Sequence, residues 1–255
     1  MSYTHKDPWF RTSSPNPRAR MRLFCFPYEG GSAAAFQAWG RNLGAEFEVC
    51  AVEPPGRGAR LHEPAFESMG PLAGASAAAL KTRLDKPFAL YGHGSGALAA
   101  FEAARLLRRD GGPQPSALFV GACRAPQLPD ASRRTYDLPD AEFVEELRRP
   151  NGTPEEVLQN AEVMEVLLPR LRADLALAQT YSYEDEPPLA CPVVAFGGEQ
   201  DTEVSREQLE AWGAQTAGAF TLRMLPCDHF FINTCQALFL RSLSEDLRGL
   251  VGADV

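Results

Sequence analysis

Short apolar runs broken by glycine and proline alternate with longer stretches of helical periodicity through most of this chain. Met21-Arg22-Leu23-Phe24-Cys25-Phe26 is one such run, ended by Pro27. The glycine loop Tyr28-Glu29-Gly30-Gly31-Ser32 then leads into a helical stretch at residues 33–43. Residues 47–52 repeat the pattern, stopped by Glu53-Pro54-Pro55-Gly56-Arg57-Gly58, with a helix over 71–84 behind them. A third run at 87–91 precedes an alanine- and leucine-rich helix over 97–109, whose basic end, Arg108-Arg109, suits the negative pole of a helix dipole. Further strands are predicted at 117–121, 192–197 and 221–225. Continuous apolar runs are what strands covered on both faces look like. Their alternation with helices predicts an α/β fold with a mostly parallel central sheet.

Residues 128–189 break the alternation, with helical patterns at 140–149, 153–159 and 162–178 and no strand. Three helices inserted between two strands of such a sheet are expected to cover the cleft at the strand ends as a lid. The first 21 residues are polar, with Arg11, Arg18 and Arg20, and are predicted to form a flexible tail ahead of one domain over 22–250. A chain of 255 residues is long enough for one α/β domain with a full core.

Composition changes this picture little. The 33 acidic residues outnumber the 25 basic ones, and a net charge of -8 argues against a nucleic-acid surface; an acidic protein partner would need a local basic patch. No apolar signal region and no run of membrane-spanning length stands in the chain, which predicts a cytoplasmic protein. Six cysteines, at 25, 50, 123, 191, 227 and 235, lack C-x-x-C spacing, so reduced and mostly buried thiols are expected.

The candidate chemistry gathers at the ends of predicted strands. Gly92-His93-Gly94-Ser95-Gly96 follows the third strand and has the layout of the G-x-S-x-G elbow, with Gly94 at the position of the nucleophilic serine. Asp201 stands in the loop after one later strand and His229 in the loop after the next, so elbow, acid and base come in the order that α/β-hydrolases use. In such a set Asp201 accepts the imidazole Nδ1–H, and Nε2 is left to move protons. Of the other histidines, His93 lies inside the elbow, while His5 and His62 lie in the tail and a loop. None has a second ligand at metal spacing, and no metal or cofactor is expected.

Five segments together carry a resemblance. Phe26-Pro27-Tyr28-Glu29-Gly30-Gly31-Ser32, Pro55-Gly56-Arg57-Gly58-Ala59-Arg60, Gly92-His93-Gly94-Ser95-Gly96-Ala97, Gly198-Glu199-Gln200-Asp201 and Asp228-His229-Phe230-Phe231 resemble the type II thioesterases of polyketide and nonribosomal peptide assembly lines. The likeness runs from about Arg22 to Leu247, and Leu138-Pro139-Asp140-Ala141-Glu142-Phe143, Gly152-Thr153-Pro154-Glu155-Glu156 and the segment from Leu168 to Asp174 resemble that family's lid helices. The resemblance implies a free-standing α/β-hydrolase that removes acyl groups from the phosphopantetheine arm of acyl or peptidyl carrier proteins, with no bound cofactor. By position it implies Asp201 as acid, His229 as base, Gly94 in the nucleophile's place, and the backbone N–H groups of Glu29 and Ser95 as the oxyanion hole. Tyr28, His93 and Phe230, which flank these positions, are the candidate substrate contacts.

Two departures from the family pattern fall on the site: glycine at 94 where serine is usual, and glutamate at 29 where a small residue is usual. Ser95 or a water activated by His229 are the candidate attacking groups. Cys123 and Cys227 are expected to pack as small apolar side chains. Glu29 has two readings, an outward ion pair with Arg57 or Arg60, or an inward carboxyl near His229 acting as a second acid or base. Three function classes stay open: a thioester hydrolase, a non-hydrolytic catalyst of elimination, isomerisation or cyclisation on a polyketide intermediate, and an inactive acyl- or carrier-binding module.

Overall fold

The structure, a computed structural model, describes residues 7–130, 133–148 and 155–252. Seven strands form one sheet: β1 (Phe10–Arg11), β2 (Met21–Phe26), β3 (Phe47–Val52), β4 (Phe88–His93), β5 (Leu118–Gly121), β6 (Val193–Gly198) and β7 (Phe220–Leu225). Their spatial order is β1-β3-β2-β4-β5-β6-β7; β1 runs antiparallel to β3 and every other pair is parallel. Around the sheet lie α1 (Trp39–Asn42), α2 (Met69–Lys81), α3 (Ser95–Arg109), α4 (Asp140–Arg148), α5 (Glu155–Leu158), α6 (Ala161–Gln179), α7 (Arg206–Glu210), α8 (Phe231–Thr234) and α9 (Gln236–Gly252).

Side-chain alternation along the strands divides the core in two. Phe24, Phe26, Phe88 and Leu90 face the layer built by α2 and α3, while Leu23, Cys25, Ala89 and Tyr91 face the layer built by α1, α8 and α9. Both faces are therefore dry, which is why the strands read as unbroken apolar runs. Each large side chain buried this way contributes about 2 kcal/mol of transfer free energy. On α9, Phe239, Leu243, Leu247 and Val251 recur every four residues and all are buried, an apolar repeat of helical period that is visible in the sequence.

Two expectations are corrected. The segment ahead of β2 is not a loose tail from Asp7 onward: Phe10 pairs with Val52, its ring lies 5.2 Å from that of Phe24, and the Arg60 guanidinium covers the Trp9 ring at 4.6 Å. Two aromatic side chains with a core to enter outweigh the polar residues around them. His5 lies outside the described residues, as do Arg149 and residues 150–154, so the predicted starts and ends of the lid helices there are not described. The single helix expected at 33–43 is instead a 3-10 turn, Ala33–Phe36, followed by α1. This break lets Phe36 and Trp39 both enter the core, edge to face at 4.8 Å.

Candidate active site

Every residue singled out for chemistry sits at the C-terminal edge of the parallel strands, where α/β sheets open into a crevice. The elbow joins β4 to α3 through Gly94, whose φ of 54° and ψ of -128° lie where a side chain is strained. The turn closes directly onto backbone: a Cβ on Gly96 would lie 2.5 Å from the carbonyl oxygens of Phe26 and Pro27.

His229, in the loop after β7, presents Nδ1 to Asp201 Oδ2 at 2.8 Å. Asp201 follows β6 and is anchored by the backbone N–H groups of Glu203 (2.8 Å) and Val204 (3.1 Å) on Oδ1. Burial pushes the Asp201 carboxyl up, but the His229 hydrogen bond and charge and the two N–H donors together hold it below its ordinary value. Burial works against the His229 imidazolium, and the Asp201 hydrogen bond with the charges of Glu203, Asp201 and Glu29 outweighs it, so the imidazole is more basic than usual. Glu203 Oε2 stands 4.0 Å from Nε2.

His93 does not line the cleft. It is fully buried, Tyr91 Oη–H donates to its Nδ1 at 3.1 Å, and its Nε2–H donates to the His229 carbonyl at 3.1 Å. Burial and the nearby His229 charge lower it to about 3, so it stays neutral and supports the His229 loop from below instead of contacting substrate as expected. A second support is covalent. Cys227 and Cys235 form a disulfide, which corrects the expectation of reduced thiols and of Cys227 as plain packing. The bond closes a loop of eight residues' separation around His229. Cys25, Cys50, Cys123 and Cys191 are free and buried.

Glu29 turns inward. Its Oε1 accepts the Ser95 N–H at 3.0 Å, and Oε2 lies 2.5 Å from the point that a Cβ on Gly94 would occupy. The outward ion pair is excluded, because Arg57 pairs with Asp174 and Arg60 pairs with Glu63. Burial raises the Glu29 carboxyl, with Asp174 adding to the effect; its own N–H, the His229 charge and the Ser95 N–H oppose it without cancelling it. The carboxyl thus occupies the space above the side-chain-free apex of the elbow.

A contact absent from the sequence reading fixes the loop that carries Glu29. Asp174 on α6, almost wholly buried, accepts the Gly30 N–H on Oδ2 at 2.7 Å and pairs through Oδ1 with Arg57, whose Nη1 donates to the Gly31 carbonyl at 2.9 Å. Gly30, at a φ of 73°, packs so closely that a Cβ would lie 2.9 Å from Leu171 Cδ2. The sole signal for this in the sequence was an aspartate among the leucines and alanines of α6.

Glu29, Gly94, Ser95, Tyr28, Phe230 and His229 all line one cavity of about 890 Å3. Leu147 of α4, Val157 of α5, and Leu167, Leu171 and Leu175 of α6 give it an apolar wall facing the elbow. The Tyr28 ring stands edge-on to Phe230 at 5.4 Å, and Phe230 edge-on to His229 at 5.0 Å. Ser95 opens α3, nearly buried, and no hydrogen bond joins it to His229 among the described residues. Cys123 also lines the cavity; burial raises its thiol strongly, which keeps it protonated and inert. Among the described residues no group of three or more His, Cys, Asp and Glu side chains is placed to hold a metal ion, and no helix is long and apolar enough to cross a membrane.

The match with known proteins agrees with this geometry. The thioesterase domain family covers residues 21–247, nearly the whole described sheet and its insertion. The chain belongs to the thioesterase family. It is similar to the gramicidin S biosynthesis protein GrsT of Aneurinibacillus migulanus, 42% identical over 240 residues that cover 94% of each chain. Among solved structures, the RedJ thioesterase of the prodiginine pathway in Streptomyces coelicolor superposes with a TM-score of 0.84 at 41% identity, covering 91% of this chain and 87% of that one. The type II thioesterase BorB from the borrelidin cluster superposes with a TM-score of 0.85 at 34% identity, covering 96% and 98%. Thioesterases of polyketide and nonribosomal peptide pathways are thus this chain's relatives, and the α/β-hydrolase arrangement is theirs as well.

Proposed function

We propose that the protein hydrolyses acyl or peptidyl thioesters on the phosphopantetheine arm of carrier proteins in a natural-product assembly line of the cytoplasm, with water as the attacking group. The observation that carries this reading is the His229–Asp201 pair facing the cavity beside an elbow whose apex has no side chain. With Nδ1–H held by Asp201, the neutral imidazole has a free Nε2 to take a proton from water as its oxygen attacks the thioester carbon. The C–S bond then breaks, the proton passes from Nε2 to the departing thiolate, and a free acid and the carrier thiol remain. The apolar wall of the cavity suits an acyl chain, and the relatives' place in peptide and polyketide pathways supports a carrier-bound substrate.

His229→Ala, assayed for thiol release from octanoyl-pantetheine and from an octanoylated carrier protein, is expected to lose about 10²- to 10⁴-fold in kcat/KM. Hydrolysis by this variant at the wild-type rate would sink the reading. A second reading is favoured by one observation: the Ser95 N–H, which the family resemblance assigns to the oxyanion, is held by Glu29. On that reading His229 and Glu29 move protons for an elimination, isomerisation or cyclisation, and a 3-hydroxyacyl-pantetheine substrate would yield an enoyl product by mass spectrometry in place of the free acid.

A further inference from the structure

An acyl-transfer site needs hydrogen-bond donors aimed at the substrate's carbonyl oxygen. Here the Ser95 N–H is already taken by Glu29 Oε1 at 3.0 Å. Oε2 of the same carboxyl hangs over the elbow apex, 2.5 Å from where a Gly94 Cβ would be, receives no hydrogen bond from another residue among the described ones, and faces the cavity. We propose that Glu29 works as a carboxylic acid: Oε1 accepts the Ser95 N–H while Oε2–H donates to the thioester carbonyl, so that the backbone's polarising effect reaches the substrate through one side chain. This rests on the hydrolytic reading and adds the group that stabilises its oxyanion. The attacking water then lies in the cavity beside the Glu29 carboxyl, between Nε2 of His229 and the polarised carbonyl.

Charge decides against the ionised form. A carboxylate about 3 Å from a developing oxyanion would repel it, whereas a neutral carboxyl donates. The surroundings of Glu29 raise its carboxyl from its ordinary value on balance. Burial and Asp174 of α6 push it up, and Arg57 partly offsets Asp174 by pairing with it. His229 from the β7–α8 loop and the N–H groups of Glu29 and Ser95 push it down, while Cys123 from the loop after β5 stays uncharged. Asp201 and Glu203 in turn hold a proton on His229. Glu29 and His229 therefore titrate as a pair, and of the two arrangements that share one proton the reactive one has it on Glu29 and none on His229 Nε2. Activity must fall at low pH, where both are protonated, and at high pH, where both are bare.

The Glu29→Gln change keeps an acceptor for the Ser95 N–H and puts an amide N–H where the proposal needs a donor. With octanoyl-pantetheine, E29Q is expected to fall less than about tenfold in kcat/KM and to lose the alkaline limb of its pH profile, while E29A falls about 10²- to 10³-fold. Equal loss in both variants would mean that Glu29 acts ionised, as base or nucleophile, and E29A faster than wild type would make Glu29 a plug; either result overturns the proposal. A second probe needs no turnover. The ketone analogue of octanoyl-pantetheine, with CH2 for sulfur and 13C at the carbonyl, should show a downfield carbonyl shift when bound to wild type and E29Q and none with E29A. Absence of that shift in wild type overturns the role of Glu29 even if His229→Ala bears out hydrolysis. Conversely, the shift can be present in a protein that hydrolyses nothing.

Discussion

The two arms of the site are held in different ways. The His229–Asp201 arm is built wholly from loops at the ends of β6 and β7, braced by His93 from β4 and by the Cys227–Cys235 bond, so it is fixed by the sheet itself. The Gly94–Glu29 arm depends on a loop after β2 whose position is set by Asp174, a residue of the helical insertion. One arm has the acid–base pair that the family resemblance implies, and the other carries glycine at 94 and glutamate at 29, which meet in the same space. The two positions share one space: a Cβ on Gly94 would lie 2.5 Å from Glu29 Oε2, so what stands at 94 and where the Glu29 carboxyl rests are linked.

The sheet-fixed arm is tested most severely by Asp201→Asn. An amide cannot accept the Nδ1–H in the same way, the wrong tautomer is favoured, and kcat is expected to fall about 10³- to 10⁴-fold with little change in melting temperature. A loss under tenfold would break the comparison, since it would leave His229 with no orienting partner that matters. For the other arm, Asp174→Ala strips the buried partner from the half-buried Arg57 and frees the Gly30 N–H. Chemical denaturation should show a loss of about 3–5 kcal/mol, and a value under 1 kcal/mol would show that the insertion does not hold the loop. The smallest effect sharpens the link between positions 94 and 29. Gly94→Ser alone should lower octanoyl-pantetheine hydrolysis about tenfold, because the new side chain meets Glu29 Oε2, whereas Gly94→Ser with Glu29→Ala should gain about 10²-fold over either single variant. Additive effects of the two changes would separate them.

Six of the seven strands were legible as apolar runs: β2 to β6 are buried along their whole length, and the partly buried β7 alternates apolar residues with Thr221 and Arg223. β1 was not, since two residues carry no period and only their burial against Phe24 reveals them. Asp201 and His229 could be ranked from their places after strands, and the structure brings them together at 2.8 Å. The direction of Glu29 could not be read, because it depends on what fills the space over position 94, which lies 65 residues away in the chain and is adjacent only once β2 and β4 pair. The Asp174–Gly30 bond is less legible still: its partners are separated by 144 residues, and an aspartate in an apolar helix announces a buried partner without naming it.

β1 has a bearing on solubility. A parallel sheet leaves its outer strand with a row of free N–H and C=O groups that another chain can join, and here the outer strand on one side is two residues long, antiparallel, and flanked by Arg11 beside Glu53. It shields part of β3 while offering almost no length for pairing in its turn. β1 therefore covers part of the β3 edge, and trimming the chain at residue 20 would open a longer and more apolar edge at Phe47–Val52 to pairing with another chain.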